Sequence, residues 1–140
     1  DQVKAAGILI GANYIFGLPE DDTKSMQATL DLALELNTEW ANFYCTMAYP
    51  GSKLYLDAIT NNWELPVSYS GYSQHSYDMR PLDTKKITAA EVVRFRDNAF
   101  HDYYESIDYL DFIEKKFGIS TRTEIEKMTS YRLKRKILGD

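Results

Sequence analysis

The chain of 140 residues has one cysteine, Cys45, and only two histidines, His75 and His101. A single thiol excludes an internal disulfide, and with it a cross-linked secreted scaffold. It fits a reducing compartment, so a cytoplasmic location is expected. Long hydrophobic runs are also lacking. None reaches the ~20 residues of a membrane span, and no signal-like start is present, so no membrane contact is expected. Positive charge is in deficit, with 16 Lys and Arg against 21 Asp and Glu and a formal net charge of −5. That balance argues against a general nucleic-acid binder, which carries a basic surface. Compact catalytic signatures are missing too. No His-Glu-x-x-His pair offers metal spacing, and no Gly-x-Ser-x-Gly elbow presents a nucleophile.

What the chain does have is 44% hydrophobic residues, enough for one ordinary domain with its own core. Its organising stretch is Gly7 to Thr23, GILIGANYIFGLPEDDT. The apolar run Ile8, Leu9, Ile10, Tyr14, Ile15, Phe16 lacks clean alternation, which predicts a strand at about 8–17 covered on both faces of a parallel sheet. Gly17 permits a turn and Pro19 cannot donate to a ladder, so the strand ends there. Asp22 or Thr23 can cap the helix that follows, and Glu20, Asp21 and Asp22 put negative charge near its N-terminus. Met26, Leu30, Ala33, Leu34 and Leu36 recur at helical spacing over residues 24–37, with Asn37 as a stop. Trp40 to Tyr49, WANFYCTMAY, reads as a second buried strand at about 40–49. Strand, helix and strand with short loops imply a right-handed crossover and parallel pairing. Pro50-Gly51 closes that strand and Ser52 caps a short helix.

The loop after the first strand lies at a strand's carboxyl end, where ligands bind in α/β sheets and barrels. The segment resembles the fifth-strand motif GxIxGxxE of radical S-adenosylmethionine enzymes, reading Asn13-x-Ile15-x-Gly17-x-x-Glu20. Asn13 stands where the motif has its first glycine. Tyr49-Pro50-Gly51-Ser52 resembles the sixth strand end of the same superfamily. The wider text, from IFGLPEDD through NFYCTMAYPGSKLY to VVRFRDNAF, is similar to the C-terminal part of cobalamin-binding members of the anaerobic cyclase and methylase type. The resemblance implies an α/β fold: part of a (β/α) barrel with two parallel strands, followed by a mainly helical C-terminal extension. It divides the chain into barrel strands and helices over 1–62, a Tyr-rich loop over 63–87 and a helical extension over 88–140.

The resemblance also implies a parent enzyme that uses S-adenosylmethionine, a [4Fe–4S] cluster and cobalamin on a small organic substrate. Ile15 and Gly17 would lie by the adenine, Glu20 would cap a helix or meet substrate, and Tyr49 and Gly51 would line the second strand's end or form a plain tight turn. Cluster ligation takes several thiolates together. Cys45 alone cannot supply them and reads as a small buried hydrophobe. The chain, which starts at Asp1, reads as a piece of a longer protein, inactive alone, with the N-terminal half of the parent as its partner. Two strands by themselves leave unpaired edges, so self-association by edge pairing or strand swapping is expected. A protein-interaction module using the Tyr-rich loop and C-terminal helices, and a piece of another α/β barrel, are the alternatives.

In the last third, Thr88 to Glu91 forms a capping box before a helix striped with Val92, Phe95, Ala99 and Tyr103. Leu110, Ile113 and Phe117 predict a short helix ended by Gly118. Thr121 to Glu124 reads as another capping box, opening a final helix through Ile125, Met128, Leu133 and Ile137. Arg132, Lys134, Arg135 and Lys136 would form its solvated face. His101 reads as solvated or capping, and His75 as an ordinary loop histidine. No Asp-x-His-x-x-Gly cobalamin motif surrounds His75.

Overall fold

A computed structural model describes residues 2–140. Six α-helices and two parallel strands make it a mixed α/β fold. After a short helix α1 (Gln2–Ala5) come β1 (Gly11–Phe16), α2 (Thr23–Leu36), β2 (Trp40–Cys45) and α3 (Lys53–Thr60). A one-turn 3-10 helix at Tyr69–Tyr72 interrupts the long loop. Then follow α4 (Ala89–Tyr104), α5 (Ile107–Phe117), α6 (Ile119–Thr129) and a closing 3-10 turn at Lys136–Leu138. No helix among the described residues is long and apolar enough to cross a membrane.

Both strands are shorter than the apolar runs that predict them. Ile8 and Leu9 stay outside β1, each 58% exposed, and Thr46 to Tyr49 leave β2 once pairing stops. In the register Gly11 lies opposite Trp40 and Phe16 opposite Cys45. Side chains alternate along a strand. Tyr14, Phe16, Ala41, Phe43 and Cys45 are therefore buried on one face. There Met26, Leu30 and Ala33 of α2 and Val92, Val93, Ala99 and Tyr103 of α4 join them in the core. Phe16 and Phe43 stack at 6.0 Å, and Tyr103 meets Phe43 edge-on at 5.5 Å.

The opposite face carries Gly11, Asn13 and Ile15 of β1 and Trp40, Asn42 and Tyr44 of β2. It departs from the expected two-sided burial: Ile15 is 49% and Trp40 45% exposed. The face is ordered by polar contacts between its own residues. Asn42 Nδ2 donates to Asn13 Oδ1 at 3.0 Å, and the Trp40 indole N–H donates to Asn42 Oδ1 at 3.1 Å.

The two sheet edges differ. In this register Ala41, Phe43 and Cys45 direct their main-chain groups away from β1. Side chains take up that outer edge. The Tyr104 hydroxyl accepts the Ala41 N–H at 3.0 Å and donates to the Ala41 carbonyl at 2.7 Å. Arg96 Nε donates to the Phe43 carbonyl at 2.7 Å. The Gln74 amide closes a pair with Cys45, both bonds at 2.9 Å. Upstream, Tyr103 donates to the Thr38 carbonyl and Tyr109 to that of Glu39, at 2.7 and 3.1 Å. On β1, the main-chain groups of Gly11, Asn13 and Ile15 point to the other edge and meet no such partner among the described residues. Edge pairing by β2 is thus blocked by side chains, and any added strand would join β1.

Tyr104→Phe tests this seal. It keeps the ring packed and leaves the buried Ala41 N–H and carbonyl without partners, so stability should fall by about 2 kcal/mol. Urea unfolding midpoints measure it. A change of only a few tenths would mean that water replaces the hydroxyl.

Helix starts follow the sequence closely, with two corrections. Asp22 caps α2 by accepting the Ser25 N–H, Asn37 ends α2 in the left-handed region, Ser52 caps α3, and Thr88 and Glu91 form the capping box of α4. The final helix, by contrast, starts at Ile119 directly after Gly118, with no side-chain cap. Thr121 lies inside it and bonds back to the Phe117 carbonyl at 3.4 Å. Arg122 ties α6 to α5 there through Asp111 and Glu114, at 3.0 and 2.8 Å. The second correction follows from the helix stopping at Thr129: Leu133 and Ile137 are not on it. The chain then turns back so that Arg135, expected on a solvated face, is 0% exposed. Its Nε and Nη2 grip Asp97 at 2.8 Å each, and Nη1 and Nη2 donate to the carbonyls of Ser76 and Gln74 at 2.9 and 3.1 Å.

Candidate functional site

The carboxyl ends of β1 and β2 lie on the same side of the sheet because the strands are parallel. Ile15 presents its side chain on the open face one residue before β1 ends. Gly17 follows with φ +80°, a conformation that a side chain disfavours. A Cβ there would stand 2.6 Å from Val92 Cγ1. The close approach of this turn to α4 requires glycine. Gly17 is buried, so its role is to let the loop leave the sheet, and its own surface is unavailable to a ligand.

The turn that follows is held by its acids. The Leu18 N–H donates to Asp21 Oδ2 at 2.9 Å, and the Asp21 N–H to the Leu18 carbonyl at 2.8 Å. Asp21 and Asp22 thus supply the turn and the cap. Glu20, expected as a possible cap, instead pairs with Lys85 and is exposed. A strap from the far end of the long loop lies over this turn. Thr84 Oγ1 donates to the Asp21 carbonyl at 2.9 Å, the Lys85 N–H donates to the Pro19 carbonyl at 3.1 Å, and Lys86 pairs with Asp22 at 2.8 Å. The Lys86 hydrogen bond, with the Ser25 N–H, holds the Asp22 carboxyl below its ordinary range, and Lys86 is raised in turn. Sequence reading missed this strap because its residues lie more than sixty positions from the turn.

At the second strand end, Tyr49 is 48% exposed and tilts against Tyr72 of the long loop at 6.2 Å. Gly51 has φ +89° with open space around its Cα, and Ser52 Oγ accepts the Tyr55 N–H at 3.1 Å. Ile15, Tyr49 and Gly51 therefore lie exposed at one end of the sheet, whereas Gly17 is covered and Glu20 is engaged by Lys85. Cys45 is 2% exposed, and burial pushes its thiol up to about 12. No group of three His, Cys, Asp or Glu able to hold a metal ion occurs among the described residues. His101 Nδ1 bonds Glu105 at 2.9 Å in the last turn of α4, and His75 stands exposed in the loop.

No protein-family model matches the chain, and no solved structure matches it. It is similar to the uncharacterized methyltransferase PH0819 of Pyrococcus horikoshii, with 27% identity over 107 residues, or 74% of this chain. The match covers 23% of that protein, so the chain spans about a quarter of the relative's length.

Proposed function

We propose that the chain forms the last two strands and the C-terminal extension of an S-adenosylmethionine-dependent enzyme of the radical type. The observation that carries this reading is the asymmetry of the sheet. The β1 edge and one face are open, whereas the β2 edge is sealed by Tyr104, Arg96 and Gln74. A barrel interior would use the open face, and the open edge would take the preceding strand of the parent's N-terminal half. The methyltransferase relative, much longer than this chain, supports use of S-adenosylmethionine.

The residues present fit one part of that cofactor. Exposed Ile15 offers an apolar surface for a planar base, and Tyr49 and Gly51 border the same end of the sheet. They do not fit an iron–sulfur cluster, since the lone thiol is buried and protonated, and nothing on the open face selects a corrinoid. Any cluster or cobalamin would be held by the rest of the parent. Bound there, a cluster would supply the electron for reductive cleavage of S-adenosylmethionine. This chain's own task is to wall the adenine side, exclude water and position a small organic substrate. The protein-interaction alternative draws on Val67 and Tyr69, which stand fully and 87% exposed on the long loop.

The test is the intact parent, reconstituted anaerobically with iron and sulfide and reduced with dithionite. Release of 5′-deoxyadenosine is expected, with a loss of roughly tenfold or more in Ile15→Asp, which puts an unpaired charge against the base. Transfer of methyl with S-adenosylhomocysteine as the sole nucleoside product, and no iron–sulfur absorbance, would replace the radical reading with an ordinary methyltransferase.

A further inference from the structure

Beside the sealed edge of β2, away from the strand ends, lies a cavity of about 300 Å³. Trp40, Phe100 and Tyr131 give it aromatic walls, Met128 and Leu133 add apolar ones, and Arg96, Asp97 and His101 reach it from α4. We propose that this cavity is a binding site for a small aromatic carboxylate. The proposal does not rest on the function assigned to the strand ends, although its Trp40 wall also belongs to the open face of the sheet.

The argument is one of charge balance. Arg96 is 4% and Arg135 0% exposed, so two guanidinium ions are buried side by side. They share one carboxylate. Asp97 takes Arg96 Nη1 at 2.7 Å and Arg135 Nε and Nη2 at 2.8 Å. Neighbouring acids are engaged elsewhere: Glu105 holds His101 and Arg132, and Asp140 accepts the main-chain N–H of Arg135. Every guanidinium nitrogen of Arg135 has a partner, whereas Arg96 Nη2 has none among the described residues. Arg96 Nη2 keeps contact with solvent, so an anion that reaches it exchanges water for a charge-assisted hydrogen bond to a largely buried cation. The same excess is felt by His75 at the rim. Its pKa lies below the ordinary value, first through desolvation and then through the charges of Arg96 and Arg135.

The walls decide what kind of anion. Trp40, Phe100 and Tyr131 suit a flat ring, which stacks or packs edge-on against them. The volume lies at the small end of the ~300–1,000 Å³ range for ligand pockets, which suits one ring system with a short acid arm. With Nε held by Phe43 and Nη1 by Asp97, Arg96 offers Nη2 as the donor to a carboxylate oxygen.

Calorimetric titration of the chain with indole-3-acetate, and separately with its neutral isostere indole-3-acetamide, tests the proposal. Saturable one-to-one binding of the acid is expected, with the amide roughly tenfold or more weaker because the charge-assisted bond is lost. Met128→Trp, which fills the cavity while leaving Arg96 in place, should abolish acid binding in a chain that still unfolds cooperatively, at a somewhat lower midpoint because Met128 also packs against the core. Leu133→Trp, at a half-exposed lining residue, serves the same purpose if the first variant is unstable. No heat from either probe up to millimolar concentration, equal affinity for acid and amide, or binding that survives cavity filling would each overturn it.

Discussion

Arg135→Leu should destabilise the chain by about 3–5 kcal/mol, the range for removing one partner of a buried ion pair. The magnitude follows from what the guanidinium holds together. It grips both oxygens of Asp97 on α4 and the carbonyls of Ser76 and Gln74 in the long loop. Gln74 in turn closes the β2 edge at Cys45. Leucine would leave the Gln74 carbonyl without its donor, the Ser76 carbonyl with only the Met79 N–H at 3.2 Å, and Asp97 with Arg96 alone. It would also release the C-terminal segment, whose Lys136 N–H donates to the Tyr77 carbonyl at 2.9 Å. Urea unfolding at neutral pH measures the loss, and hydrogen exchange should show the amides of residues 73–79 and 133–140 opening first. Arg135→Lys keeps the charge without the fork and should recover only part of the loss. A stability change below about 1 kcal/mol for Arg135→Leu would mean that Asp97 and Arg96 suffice as a pair and that this segment is only loosely tied to the fold.

Gly17→Ala should cost about 3 kcal/mol, from two sources acting at one atom. The φ of +80° disfavours any side chain by roughly 1–2 kcal/mol, and the added methyl would meet Val92 Cγ1 at 2.6 Å, an overpacking penalty of similar size. Val92 is 0% exposed and has little room to move. A second substitution separates the two causes. Val92→Ala in the Gly17→Ala background should recover the overpacking share, offset by its own cavity cost, and leave the backbone strain. Thermal unfolding of the four proteins of that cycle reads the coupling directly. Additive effects would show that the turn moves away from α4 and that glycine serves backbone conformation alone.

The elements themselves were largely legible because their signals are local. Caps at Asp22, Ser52 and Thr88, the stops at Asn37 and Gly118, and the stripe of Met26, Leu30 and Ala33 act within one or two helical turns. Parallel pairing was legible as well, since a short strand, a helix and a second strand leave little alternative. Strand length was not. Ile8 and Leu9 are as apolar as any residue in β1, and only the partner strand decides where pairing begins. The final helix was misjudged for a related reason. Thr121 to Glu124 has the composition of a cap, but α6 had already started at Gly118, where α5 turns and Arg122 reaches back to Asp111 and Glu114.

Of the candidate site, the sequence alone determined the order strand, turn, helix, and the placing of Ile15, Gly17, Glu20, Tyr49 and Gly51 around the strand ends. Which of those residues face outward was decided by tertiary structure. Burial against Val92 covers Gly17, and an ion pair with Lys85, distant in sequence, engages Glu20. Tertiary structure alone turned Arg135 from an expected surface charge into the centre of a buried network with Asp97 and Arg96. The physical reason is range. Caps and hydrophobic periods are set by neighbours a few residues apart, whereas the solvation of a charge depends on every segment that folds over it.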